Sequence, residues 1–283
     1  MQKGSYTIRT MTRPEVELAV DWAAAEGWNP GLADADCFYA VDPDGFLIGL
    51  LDDQPVATLS AVKYGDSFGF IGFYIVRPED RGRGYGMRIW NAGLARLEGR
   101  TMGLDGVVDQ QVNYQKTGFS LAYRNIRYQG IGGGPFPAGP GIVPLATLPF
   151  GEICAYDKPF FPDDRVRFLK CWIEQPRSTA LGILRNGRLA GYGVLRPCRS
   201  GYKVGPLFAD SPFFAEELFL ALKAHAPEGA PIYLDPPAVN PAAVDLANRH
   251  NMTAVFETAR MYRGKSPDLP MKRLFGVTSF ELG

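Results

Sequence analysis

Phe73-Tyr-Ile-Val76-Arg-Pro78-Glu-Asp-Arg81-Gly82-Arg83-Gly84-Tyr85-Gly86 runs an apolar strand into a turn of alternating Arg and Gly. A helix follows over Tyr85–Glu98, with Ile89, Leu94 and Leu97 near helical spacing. Three closely spaced glycines let the backbone approach a ligand without obstruction by Cβ atoms. Successive N–H groups at a helix N-terminus form an anion site, strengthened by the positive end of the helix dipole. Arg81 and Arg83 add charge. The segment is therefore a phosphate cradle on physical grounds. The P-loop spacing G-x-x-x-x-G-K-[ST] is absent, and the dinucleotide pattern G-x-G-x-x-G would need glycine at Met87.

Around the cradle the chain is mixed α/β. Thr12 opens a helix over Glu15–Glu26, with Pro14 early and Glu15 completing a capping box. Strands are expected near Gly45–Leu51, Val56–Lys63 and Phe68–Val76. Beyond the glycine-loop helix come a strand near Gly103–Val108, a short helix near Val112–Lys116 and a strand near Ala122–Tyr128. Strands alternating with helices imply one central sheet.

That order recurs. Gly182-Ile-Leu-Arg-Asn-Gly-Arg-Leu189 repeats the hairpin plan of Gly49-Leu-Leu-Asp-Asp-Gln-Pro-Val56, 133 positions later. Gly201–Phe208 mirrors Gly69–Val76, and Met261-Tyr262-Arg263-Gly264 mirrors Arg127-Tyr128-Gln129-Gly130, at nearly the same offset. Three segments in register point to a duplication. Between the halves, Gly130–Gly151 is dense in Gly and Pro and is expected to hold neither a helix nor a central strand.

Arg81-x-x-Gly84-x-Gly86 after a strand resembles the pyrophosphate motif of the GNAT acetyltransferase superfamily, Gln/Arg-x-x-Gly-x-Gly/Ala. Tyr114-Gln-Lys-Thr-Gly118-Phe119 resembles the family's Tyr-x-x-x-Gly-Phe segment. The likeness covers roughly residues 5–130. One departure is Val107, where the family often has Asn seven residues before the Tyr. In the second half, Asn240-Pro-Ala-Ala243 keeps that Asn, but Ala247 stands at the Tyr position and Asn251-Met252 replace Gly-Phe. Asp210-Ser-Pro-Phe-Phe214 stands where the glycine loop belongs. The resemblance thus implies two tandem GNAT-like domains of α/β (α+β) class, each a mixed, mostly antiparallel central sheet flanked by helices. Residues 1–132 form the catalytic domain, 133–150 a linker, and 151–283 a degenerate domain without a cofactor loop.

The resemblance implies an N-acetyltransferase in which a primary amine of a small molecule attacks acetyl-CoA directly, with no enzyme nucleophile. Ile75 and Val76 are expected to face pantetheine and polarise the thioester carbonyl. Arg81, Gly82, Arg83, Gly84, Tyr85, Gly86 and Met87 are expected to hold the pyrophosphate. Tyr114 is expected to protonate the departing thiolate, since a phenol with a pKa of about 10 carries its proton at neutral pH. Glu26, Trp28 and Asn29, with Asp34, Asp36 and Phe38 nearby, are expected to line an apolar pocket with an acidic patch suited to a cationic amine. No general base is readable: Glu79 and Asp80 before the glycine loop and Asp109 before the Tyr helix read equally as solvated turn carboxylates, and a water chain would serve as well. A CoA-binding sensor without turnover is the second reading.

Composition narrows the class further. The 283 residues carry 30 basic and 30 acidic side chains, split 13 to 16 before Gly130 and 17 to 14 after it. No electrostatic footprint for nucleic acid or an anionic membrane is present. No stretch approaches the ~18 apolar residues of a membrane span, and Met1–Thr10 lacks a signal-peptide run, so a cytoplasmic location is expected. Cys37, Cys154, Cys171 and Cys198 form no C-x-x-C pair and are expected to be reduced thiols. With only His225 and His250, no metal site is expected. The oligomeric state is not encoded in any of these features.

Overall fold

The computed structural model describes residues 5–137, 139 and 141–283, so the first residues of the N-terminal segment and two connector positions lie outside the described residues. The first half holds β1 (Tyr6–Thr10), α1 (Arg13–Ala25), α2 (Asp34–Val41), β2 (Phe46–Leu51), β3 (Gln54–Tyr64), β4 (Phe68–Val76), α3 (Tyr85–Arg96), β5 (Thr101–Val107), α4 (Gln111–Lys116) and β6 (Ser120–Ile131). The second holds β7 (Ile142–Pro144), α5 (Phe150–Asp157), α6 (Val166–Ile173), β8 (Thr179–Arg185), β9 (Arg188–Pro197), β10 (Tyr202–Ala209), α7 (Pro212–His225), β11 (Pro231–Leu234), α8 (Pro241–Arg249), β12 (Thr253–Arg263) and β13 (Leu274–Gly276). The class is mixed α/β with a mostly antiparallel sheet; among the described pairings only β4–β5 and β10–β11 are parallel.

Local chemistry sets many boundaries. α1 starts at Arg13, two residues before the expected Glu15 and directly after its N-cap Thr12, and the Glu15 carboxylate accepts the Thr12 N–H at 2.8 Å. Both β2–β3 and β8–β9 turn through two left-handed residues, Asp52-Asp53 and Asn186-Gly187, the geometry that matches strand twist. The connector is less bare than its composition implies. β6 extends to Ile131, and β7 forms at the sheet edge, where Pro144 removes no central ladder bond.

The two halves share one 13-stranded sheet, in the order β1-β2-β3-β4-β5-β12-β6-β11-β10-β9-β8-β7, with β13 added on β10. β12 lies beside β5 of the first half, while β6 lies beside β11 of the second. The halves have thus exchanged their equivalent strands, and β6 and β12 pair with each other at the centre. The arrangement is a pseudo-two-fold one.

Equivalent helices meet on that axis. α2 packs on α6, and Phe38 stacks on Trp172 at 5.9 Å between ring centroids. Beside them Cys37 and Cys171, 134 positions apart, form a disulfide. This corrects the expectation of four reduced thiols: spacing along the chain carries no sign of a pair that only the pseudo-symmetry brings together. Cys154 and Cys198 are free. Buried ion pairs also tie the halves, Asp34 to Arg196 at 2.9 Å and Arg127 to Asp235 at 2.7 Å. Each is a charge pair withdrawn from water, so losing one partner leaves a costly orphan.

Candidate active site

β4 and β5 pair only over Phe68–Ile71 and Thr101–Leu104. Beyond that point β4 leaves its neighbour, and the β3–β4 register slips between Thr58 and Ser60. Phe73 sits at the bulge with φ +47°, a left-handed conformation that costs a bulky residue ~1–2 kcal/mol. Thr58 Oγ1 holds it by donating to the Phe73 carbonyl at 2.8 Å. The splayed strands open a cavity of about 540 Å³, walled by β4 residues Ile71–Val76 and β5 residues Leu104–Val107.

The glycine loop closes one end. Gly82, Gly84, Gly86, Arg81 and Met87 are in the wall, and α3 begins at Tyr85 directly after Gly84. The glycines do different jobs. Gly82 and Gly84 have φ of +76° and +86° with open space where a Cβ would stand, so they serve backbone conformation. A Cβ on Gly86 would meet the Tyr74 hydroxyl at 2.7 Å and Val76 Cγ2 at 3.0 Å, so this glycine lets α3 lie close on β4. Among the described residues, the N–H groups from Gly82 to Met87 have no backbone acceptor outside the helix. Those of Tyr85, Gly86 and Met87 are the orphan donors of a helix N-terminus, and Gly82, Gly84, Gly86 and Met87 lie in the cavity wall.

Arginines frame the loop. Arg81 donates from Nε to the Val76 carbonyl at 2.9 Å and pairs with Glu26. Asp80 is buried and holds Arg77 at 2.6 Å and Arg83 at 2.8 Å, which fixes the turn. Arg83 and Tyr85 lie outside the cavity wall; Arg83 covers the Tyr85 ring at 5.2 Å, and that ring stacks on Tyr6 at 4.7 Å.

Tyr114 reaches the cavity from α4, buried against Trp90 with ring centroids 5.4 Å apart. A Cβ on Gly106 would stand 2.2 Å from its ring, so the ring seats directly on the β5 backbone. Burial pushes the Tyr114 hydroxyl well above the usual phenol range, with the nearby Tyr74 adding to the shift. A protonated phenol is thereby maintained in the cavity wall.

The expected acceptor pocket is only partly assembled. Glu26 and Trp28 line the cavity, with Glu26 already engaged by Arg81. Asn29 does not line it: its side chain bonds the Ser200 N–H and carbonyl at 2.8 and 2.9 Å, clamping the two halves. The acidic patch is not formed, because Asp34 is buried on Arg196, Asp36 pairs with Arg13, and Phe38 belongs to the core. The second half supplies wall residues that no motif announces: Phe256 and Thr258 from β12, then Phe280 and Glu281. Asp105 of β5 also lines the cavity, bonded to Arg260 at 2.5 Å and Asn125 at 2.8 Å. A long-range strand exchange leaves no local signature, so these residues were not readable beforehand.

The equivalent fork in the second half is filled. Leu207 and Phe208 stand 133 positions after Tyr74 and Ile75, and they pair with Gly276 and Leu274 of β13. Ser211 caps α7 there in place of a glycine loop, accepting the Phe214 N–H at 3.3 Å. His225 and His250 lie outside the cavity wall, bonded to the Ala221 carbonyl and Glu216. Among the described residues no three His, Cys, Asp or Glu side chains are grouped to hold a metal ion, and no helix is long and apolar enough to cross a membrane.

Comparison with known proteins agrees with this architecture. The family model described as "Acetyltransferase (GNAT) family" matches residues 12–119, and "Acetyltransferase (GNAT) domain" matches residues 153–276. Holothin acyltransferase of Pseudoalteromonas sp. (strain SANK 73390) is 30% identical over 279 residues, spanning 99% of this chain and 95% of that protein. A Pyrococcus horikoshii protein of solved structure, described as a candidate acetyltransferase, superimposes with a TM-score of 0.84 at 25% identity, covering 100% of this chain and 97% of that one. A tandem GNAT protein from the clavulanic acid biosynthesis pathway shares the fold at TM-score 0.64 and 15% identity, over 93% of this chain and 100% of that one.

Proposed function

We propose, for a chain that belongs to the GNAT acetyltransferase family and is thus an acyltransferase, that it moves an acetyl group from acetyl-CoA to a primary amine of a small molecule. The observation that carries this reading is the single cavity that has the glycine loop at one end and a buried, protonated Tyr114 in its wall. The loop N–H groups and Arg81 take the pyrophosphate, as helix N-termini take anions. Pantetheine lies along Ile75 and Val76, where β4 has no parallel neighbour. A backbone N–H at the bulge polarises the thioester carbonyl, a fixed dipole aimed at developing charge. The amine then attacks, and Tyr114 protonates the leaving thiolate.

One acyl-CoA site per chain is proposed, in the domain of residues 1–132. The linker is 133–150, and the domain of 151–283 acts as a wall and support. β13 favours this assignment, because its backbone lies where pantetheine would pair in the second half. Isothermal titration calorimetry with acetyl-CoA tests the reading. Wild type is expected to bind one equivalent, and Gly84→Glu to lose at least about 10²-fold in affinity, since a like charge set against a phosphate costs several kcal/mol. Free thiol release with a panel of primary amines is then expected for wild type. No binding, or unchanged binding in the variant, overturns the site.

A further inference from the structure

Four carboxylates belong to the cavity wall: Glu26, Asp80, Asp105 and Glu281. Glu26 is held by Arg81, Asp80 by Arg77 and Arg83, and Asp105 by Arg260. Glu281 differs. The residue is 2% exposed, and both its carboxylate oxygens are buried without a hydrogen-bond partner among the described residues. Buried polar groups are bonded as a rule, and a bare carboxylate is among the costliest exceptions.

Its place is equally specific. A Cβ on Gly72 would stand 2.0 Å from the Glu281 carbonyl and 3.0 Å from Ser60 Oγ, so residue 281 lies against β4 at the foot of the bulge. Ser60 Oγ is likewise buried without a partner. We infer that Glu281 receives the acceptor amine as an ammonium ion and takes up the proton that must leave before the nitrogen can attack. This rests on the amine-acetylating reading above and names the base that reading leaves open.

The balance is as follows. R–NH3+ gives one proton to the Glu281 carboxylate, and the freed lone pair forms the C–N bond to the thioester carbon. The C–S bond breaks as the nitrogen sheds its second proton to solvent, and the thiolate takes the Tyr114 proton. Glu281 gives up its proton and Tyr114 regains one, directly or through water, so both groups are reset and the products are R–NH–acetyl, CoA-SH and one proton in solution.

Three basic side chains share the field of Glu281: Arg127 of β6, Arg196 of β9 and Lys203 of β10, with Asp34, Asp235 and Cys198 set beside those three.

The test uses the full chain, acetyl-CoA, and whichever primary amine of the panel wild type turns over fastest. Glu281→Gln is expected to bind acetyl-CoA as wild type does and to lose ~10²–10⁴-fold in kcat. The acidic limb of its kcat/KM profile is expected to vanish. Glu281→Asp keeps the cluster charge, and is expected to fold with kcat reduced but the acidic limb retained. An active wild type with either variant at full kcat, or a lowered melting temperature with an unchanged pH profile, overturns the role of Glu281 alone. A wild type that binds acetyl-CoA yet acetylates no amine overturns both readings.

Discussion

Replacing Gly106 with Ala tests whether the position of Tyr114, beyond its presence, governs catalysis. The new Cβ would lie 2.2 Å from Tyr114 Cε2, 2.7 Å from Cδ2 and 3.1 Å from Leu104 Cδ1. Carbon atoms pack comfortably at ~3.5–4.0 Å, so the ring must retreat by about 1.3–1.8 Å. Trp90 and the buried setting of the ring limit where it can go. Overpacking of this kind costs ~1–3 kcal/mol. For a chain of this size that corresponds to a melting temperature lower by about 2–5 °C. A phenol displaced by about 1 Å is expected to lose ~10²-fold in kcat. The nearest neighbours of the new Cβ are Tyr114 and Leu104 and include no residue of the glycine loop, so acetyl-CoA affinity is expected to stay within a few-fold of wild type. Thermal melts, calorimetry and steady-state turnover of the same preparation separate the three effects. Combining Gly106→Ala with Tyr114→Phe should lower kcat no further than Tyr114→Phe alone, since both act on one proton transfer. A folded Gly106→Ala variant with wild-type kcat would refute the positioning argument and remove Tyr114 from the proton path.

Two further outcomes concern stability. Burial raises the Tyr6 phenol to about 12 and pushes those of Tyr64, Tyr114, Tyr123, Tyr156 and Tyr192 higher. Because the folded values exceed the unfolded one, this stability is fully present below pH ~10 and is lost as pH rises through the folded values. Thermal melts should therefore hold level from pH 7 to 9 and fall steeply above 10; a level profile to pH 12 would contradict it. Opening the Cys37–Cys171 bridge, by reductant or by Cys37→Ser, removes a closure spanning 134 positions. Chain-entropy arithmetic puts that at about 5 kcal/mol, or roughly 8 °C in melting temperature. Equal melts with and without reductant would show that the bridge contributes nothing.

What the sequence disclosed was local. Phe68–Val76, the glycine loop and the start of α3 were legible to the residue, because each boundary is set by neighbours: an apolar run, a left-handed glycine, a helix opening. β1 and α2 were missed. β1 is short and half polar, and α2 follows Ala33, which supplies no side-chain cap. The duplication was legible, yet the exchange of β6 and β12 was not, since identical strand patterns look the same whichever half they pair with. The disulfide did leave a trace: its 134-residue separation matches the repeat offset, a coincidence that spacing rules for paired cysteines do not consider. Glu281 left none, because its significance lies in what fails to bond it.

The exchanged strands also fix an order of events. β5 borders the cavity, and its partner on the far side, β12, begins at Thr253, some 150 residues downstream. During synthesis the glycine loop, Tyr114 and the splayed fork emerge early, but the sheet beside them stays open until the ribosome has passed residue 253. Such long-range pairings are slow to form, and an unpaired edge invites wrong partners meanwhile. The exchange makes the two halves one cooperative unit, so cutting the gene at the connector would yield two fragments each missing an inner strand. The cavity, though walled largely by the first half, is among the last parts of the molecule to be finished.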